Sequence, residues 1–191
     1  MRKNVPKTHS AGRSSKPPDR PRLYELEVAL ISGPITRAFA RRIPHVIRTI
    51  QIRGDQTLED LHHAIFKAFD RFDEHMYEFQ VGGKGPMDPK GRRYVLAMAM
   101  ADSWSEPHPA GDVARTTIGS LGLKKGGVFG YWFDFGDDWW HQVDVVEIHE
   151  KVPPGRYPKI TARTGASPPQ YPEEDEETED DDDDDEDDDE E

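Results

Sequence analysis

An α+β domain with a largely antiparallel sheet and one main helix is the fold class this chain predicts, and three observations predict it. Short runs with a two-residue apolar period recur between residues 23 and 160, a single stretch after Thr57 has the helical period, and Gly- and Pro-containing turns of hairpin length divide them. The two ends carry no such pattern. They are expected to be disordered flanks.

Leu26, Val28 and Leu30 alternate with Glu25, Glu27 and Ala29, the signature of a strand with one wet face, and Gly33-Pro34 ends it. Val46 to Ile52 follows Pro44 and reads as its antiparallel partner across a long basic connection. Thr57 can cap a helix, with Asp60 favourably placed near the positive helix end. Leu58, Leu61, His62, Ile65, Phe66, Phe69 and Phe72 then recur every three or four residues, predicting a helix over about 57–71 with His62 inward and His63 exposed.

Met76 to Val81 resumes strand character, and Tyr94 to Met100 is its expected partner across a Gly- and Pro-rich loop. Residues 101–111, with Trp104 and two prolines, read as irregular. Thr117 to Leu123 reads as a short turn or a short second helix. Tyr131 to Ile148 reads as an aromatic hairpin turning at Gly136-Asp137, and Val152-Pro-Pro-Gly155 is expected to close the last strand.

The formal charge of −13 is concentrated at one end. Glu173 to Glu191 holds 18 of the 38 Asp and Glu, which leaves 20 acids against all 25 Lys and Arg, a body of net +5. Such an acidic run cannot bury apolar area and repels itself. The expected organisation is therefore a disordered basic arm over 1–22, an α+β domain over 23–160, a Pro-containing linker over 161–172 and a disordered acidic tail over 173–191. No stretch approaches the roughly 20 apolar residues of a membrane helix, so no membrane role is expected. With no cysteine in the chain, disulfides and thiolate metal sites are excluded, which fits a cytoplasmic location.

The hairpin register decides what its acidic groups can do. With a two-residue loop at Gly136-Asp137, Asp134 lies opposite Trp139 and Trp132 opposite His141, and the four share a face; with a three-residue loop Asp134 faces Trp140. The two-residue form is the expectation. Asp134, Asp137, Asp138, Trp139 and His141, with His75 from a neighbouring strand, form the candidate functional surface. Asp134, Asp137, Asp138 and His141 are also the residues that would hold a divalent cation or act as acid and base, because carboxylate oxygens suit magnesium, calcium or manganese and an imidazole extends the choice to zinc. The structural alternative is that aspartates in a turn accept its own amides and that a histidine beside a tryptophan packs in the core. No cofactor is predicted. A second candidate surface is basic: Arg37, Arg41, Arg42, Arg48 and Arg53 could neutralise phosphates along a nucleic acid. The acidic tail could instead contact this segment within the same molecule.

Thr57-Leu-x-x-Leu61-His62, His75-Met-Tyr-Glu-Phe79 and Phe133-Asp-Phe-Gly-Asp-Asp-Trp139-x-His141 occur in the order of the plasmid pRiA4b Orf-three-like family, which the chain resembles from about Tyr24 to Pro158. The resemblance implies a compact α+β domain and an association with plasmids and mobile elements. It implies no activity. After Pro158 many members continue with cysteines, whereas this chain continues with Ser167-Pro168-Pro169 and the acidic run. The expected function is a non-catalytic binding or interaction module with a protein or nucleic-acid partner. The alternatives are a metal-dependent hydrolase or nuclease at the hairpin, and an accessory nucleic-acid binder that uses the arginines and is modulated by the tail.

Overall fold

A computed structural model of the chain describes residues 21–101 and 108–172. Of the expected disordered arm over 1–22, irregular segment over 101–111 and disordered acidic tail over 173–191, residues 1–20, 102–107 and 173–191 lie outside the described residues. Among the described residues eight strands form one mixed sheet: β1 (Leu23–Ser32), β2 (Ile47–Arg53), β3 (Tyr77–Val81), β4 (Arg92–Val95), β5 (Gly111–Asp112), β6 (Val128–Phe133), β7 (Trp139–His149) and β8 (Lys159–Thr164). Their spatial order is β5-β4-β3-β6-β7-β1-β2-β8. Every pairing is antiparallel except that of β4 with β5. Among the described residues two α-helices accompany the sheet, α1 (Arg37–Arg42) and the longer α2 (Leu58–Ala68).

Helix α2 begins where the capping residues put it. Thr57 accepts the Asp60 amide at 3.1 Å while Asp60 accepts the Thr57 amide at 2.9 Å, so two free donors are satisfied reciprocally. Leu58, Leu61, His62, Ile65 and Ala68 are its buried stripe, and His63 is exposed as expected. Thr57→Ala should cost about 1 kcal/mol in urea unfolding, the usual value of a lost N-cap. The helix ends before Phe72, which the sequence places on the same face. Asp70 turns the chain at φ 55°, and Phe72 is 72% exposed with its ring against Tyr171.

Beneath α2 the sheet presents Phe79, Phe129, Tyr131, Phe133, Trp139 and Val143, all buried. The opposite face carries half-buried polar groups such as Glu25, Gln51, Gln142 and Asp144, together with the stacked pair Trp132 and Trp140. One helix layer on one side of the sheet therefore makes the core. Only part of Tyr94 to Met100 pairs with β3: strand β4 stops at Val95, and a 3-10 turn runs from Ala97 to Ala101.

Three further differences follow from short or weakly apolar segments. The long basic connection contains α1, six residues started by Thr36, whose hydroxyl accepts the Phe39 amide at 3.2 Å. Val152-Pro-Pro-Gly155 does not end the sheet, because Lys159–Thr164 returns as β8 on the free edge of β2. Residues 161–172, expected as a linker, continue the folded body: Gln170 is 2% exposed, and its amide accepts the Phe72 and Asp73 amides and donates to the Asp73 carbonyl. An edge strand is held by backbone pairing rather than by an apolar pattern, so the sequence of β8 has little to advertise it.

Candidate functional site

The turn between β6 and β7 has neither expected register. The pairs are Tyr131↔His141, Trp132↔Trp140 and Phe133↔Trp139, so residues 134–138 all lie in the connection. This single-residue shift reverses the outcome for each face. His141 and Trp139 point into the core with Tyr131 and Phe133, whereas Trp132 and Trp140 stack 4.6 Å apart on the other side.

Asp134 is 6% exposed and sits at φ 55°. Its Oδ1 accepts the Gly136 amide at 3.1 Å and the Asp137 amide at 3.4 Å, and its carbonyl accepts the Asp138 amide at 2.8 Å. Asp138, at φ 56°, accepts the Trp132 indole N–H at 3.0 Å. These two aspartates thus shape the loop and tie it to the tryptophan stack. Asp137 contributes its amide to the Asp134 carboxylate.

His141 is 1% exposed, lying 4.8 Å from the Phe69 ring and 5.2 Å from the Tyr131 ring. Burial first, and then the Arg71 cation, pull its pKa down to about 3, because polar contact with the backbone at Tyr131 and Trp139 does not offset desolvation. The ring is neutral throughout the physiological range. Arg71 lies with its guanidinium carbon 3.6 Å from the Trp139 ring centre and donates to the Pro168 carbonyl, and burial lowers its pKa to about 10. His62 behaves like His141. Tyr77 stacks on it at 3.6 Å, and burial followed by the neighbouring His63 lowers its pKa to about 3. Burial keeps the Tyr131 phenol protonated, so it donates to His62 Nδ1 at 2.7 Å and leaves Nε2–H facing Glu74 at 3.4 Å.

His75 is where the hairpin meets the C-terminal segment. Its Nε2 is 2.9 Å from the Tyr171 hydroxyl and 3.5 Å from both Asp73 Oδ2 and Asp134 Oδ2. Tyr171 donates to Asp73 at 2.7 Å, which pushes the phenol up to about 12, so its oxygen is left to accept the His75 N–H. The structure therefore brings Asp134 to His75, as the sequence proposes, and encloses His141 with Phe69 and Tyr131 in the core. Among the described residues no group of three or more His, Asp or Glu side chains is arranged to hold a metal ion.

The five arginines divide in the same way. Arg48 is 1% exposed and donates to the carbonyls of Ala68, Ile47, Thr164 and Gly165 and to the Ser167 hydroxyl, at 2.7 to 3.0 Å. Its planar fork is spent on tethering α2, β8 and the C-terminal segment, which removes it from the basic surface. Arg53 is half-buried and forks onto Asp55. Arg37, Arg41 and Arg42 are exposed on α1, and none has a carboxylate partner among the described residues. Arg42 lies over the Phe39 ring at 6.0 Å.

Phe39 and Arg42 also stand on one wall of a groove of about 600 Å³. Ile35 completes that wall, and Pro168, Tyr171 and Pro172 face it. Through Tyr171 the groove adjoins the cluster of His75, Asp73 and Asp134. Sequence reasoning missed Phe39, Arg71, Gln170 and Tyr171. The signal available for the last two was weak: a glutamine and a tyrosine surviving in an otherwise Pro- and Ser-rich stretch.

Fold and surface together define a sheet-rich α+β protein with one helix-covered face and a proline-lined groove beside its C-terminal segment. The chain belongs to the plasmid pRiA4b ORF-3-like protein family, whose model matches residues 38–180. That match begins within α1 and runs past Pro158, so the C-terminal groove wall lies inside the family region despite the missing cysteines. Among solved structures, a protein of unknown function, MM3350 from Methanosarcina mazei Go1, is similar with a TM-score of 0.56 and 24% identity, over 75% of this chain and 70% of that one. This likeness is one of fold. Among curated proteins, none matches the sequence. No helix of the described residues is long and apolar enough to cross a membrane.

Proposed function

We propose that this protein is a non-catalytic binding module whose working surface is the α1 face with its groove, and whose partner is a polyanion of the nucleic-acid-backbone type. One observation carries the reading: Arg37, Arg41 and Arg42 are exposed together without a carboxylate partner among the described residues. Like charges four apart on a helix repel, so Arg37 and Arg41 are an unfavourable pair until an external anion neutralises them. Elsewhere on the candidate surface the chemistry is spent internally, with Asp134 and Asp138 holding the turn and His141 neutral in the core. The basic face offers charge without a base-reading helix or an aromatic strand pair, which suits contact with a backbone rather than a sequence.

The test is a titration of a short duplex DNA against the full chain and against a chain ending at Pro172, over a range of salt. The shorter chain should bind with a log–log salt slope of about −3, one counterion for each of three arginines. Replacing the three with glutamine (R37Q/R41Q/R42Q) should abolish that slope. Salt-independent binding, or binding untouched by the triple substitution, removes the reading. Thermal stabilisation by magnesium, manganese or zinc would favour a metal-dependent hairpin instead, since a ligand that binds only the native state raises its stability.

A further inference from the structure

The groove beside α1 joins an apolar lining to charge along one edge. Among the described residues that line it, Arg42 is the one charged side chain, and most of the remaining surface comes from Ile35, Phe39, Tyr171, prolines and alanines. Thr36 and Ser167 add hydroxyls, but each already accepts a hydrogen bond within the protein, from the Phe39 amide and from the Arg48 guanidinium. With arginine at the rim and mostly carbon inside, the groove suits a partner that is anionic along its backbone and apolar in its side groups.

Tyr171 is the open aromatic surface of this groove. It is 46% exposed, yet its position is fixed: the hydroxyl donates to Asp73 and accepts from His75, and Phe72 meets the ring in a T-shaped contact at 5.8 Å. A ring held at its far end loses little freedom when a flat ligand settles on it. Across the groove Phe39 is half-buried, with the Arg42 guanidinium over its ring. The carboxylates of Asp73 and Asp134 gather around His75 at the hydroxyl end of Tyr171, and neither residue lines the groove. They repel phosphates from that wall. A strand entering the groove therefore keeps its backbone on the α1 side and turns its bases toward Tyr171.

We propose that the groove receives an unpaired base of single-stranded DNA, laid against the Tyr171 ring, while the neighbouring phosphates run along Arg37, Arg41 and Arg42. This rests on the basic-face reading above and names its partner more closely. A duplex keeps its bases in its own stack, so it offers this site phosphates alone and leaves the apolar lining unfilled. A single strand fills both halves. Stacking tolerates any base, because every base has a π face, so the site binds without reading sequence. A ribose 2′-hydroxyl would meet mostly carbon here, which favours deoxyribose.

Two strands of equal charge separate base from backbone: a short oligothymidylate and an abasic strand of the same length. Measured by fluorescence anisotropy with the full-length chain at low salt, the oligothymidylate should bind about ten-fold more tightly than the abasic strand or a duplex of that length, the usual worth of one stacked base. Tyr171→Ala should remove this advantage and leave the duplex affinity unchanged, which also reports that the variant is folded. Tyr171→Phe should keep the advantage, since it retains the ring. R37Q/R41Q/R42Q should weaken every strand and flatten its salt dependence. Equal affinity for the oligothymidylate and abasic strands, an advantage lost as fully in Tyr171→Phe as in Tyr171→Ala, or tighter binding of the matching oligouridylate overturns the proposal. If the duplex and abasic strands still bind through the arginines, the base inference alone has failed. If no strand binds, or the triple substitution alters no affinity, the basic-face reading has failed with it.

Discussion

Acidification from about pH 8 to about pH 5 should destabilise this domain by about 4 kcal/mol, well before its carboxylates titrate. His62 and His141 are both held near a pKa of about 3, against an ordinary value of 6.5. Below 6.5 the unfolded chain takes up the two protons while the folded state refuses them, so unfolding is favoured as the pH falls. Stability from this source is full above 6.5 and is lost progressively down to about pH 3. Each pH unit costs about 1.4 kcal/mol per ring, hence about 2 kcal/mol per ring at pH 5. The groups facing the two rings do not reverse the sign. Arg71 opposes protonation of His141, His63 opposes that of His62, and Glu74 meets His62 at 3.4 Å but is largely exposed. Urea midpoints measured across this range give the slope directly. The His141→Leu variant should keep most of its stability at pH 8 and show about half of the acid sensitivity, because one of the two rings has been removed. An unchanged slope in that variant would place the sensitivity elsewhere.

Removing the buried Arg48 should be strongly destabilising. The side chain lies under α2, donates to four backbone carbonyls and a hydroxyl, and stacks over Phe69 at 5.0 Å. Arg48→Ala takes a donor from the Thr164, Gly165 and Ala68 carbonyls, the last of which keeps Arg163, and opens a cavity, for an expected loss of about 3 kcal/mol, on the order of breaking a buried charged network. Arg48→Lys should not rescue it, because a single ammonium cannot reproduce donors pointing toward both the α2 terminus and the C-terminal segment. Urea unfolding measures the loss. Exchange of the backbone amides of β8 and of Phe72 and Asp73 should rise with it, since Arg48 and Gln170 share the task of holding the C-terminal segment. Equal protection in the variant would show that backbone pairing alone retains β8. Gly165 makes the same junction intolerant of bulk: at φ 72°, an added Cβ would stand 2.1 Å from the His45 carbonyl oxygen.

The two candidate surfaces were legible in unequal measure. The arginines that remain exposed, Arg37, Arg41 and Arg42, lie on a short helix that has no buried residue, and their positive charge is read directly from the sequence. Arg48 looks identical in the sequence. It differs because alternation along β2 turns it inward beneath α2, where carbonyls at the end of one helix and one edge strand await a donor. His75 and Asp134 do meet, through a strand pairing and a turn that the aromatic pattern suggested. His141 was misassigned by one residue of register, and in a strand one residue is the difference between solvent and core.

What the amino-acid sequence determined by itself is the class of fold, the capped helix at Thr57, the strands on either side of it, the segregation of charge and the family. Those features are local: periodicity, capping chemistry and composition act over a few residues. Tertiary structure alone decided the hairpin register, the return of β8 to the sheet, the inward turn of Arg48 and the closing of a groove by Tyr171 and Pro172. Each of these depends on partners about a hundred residues away or on which neighbour a strand meets, and the free energy that selects among them comes from burial and hydrogen bonding that no short window of sequence contains.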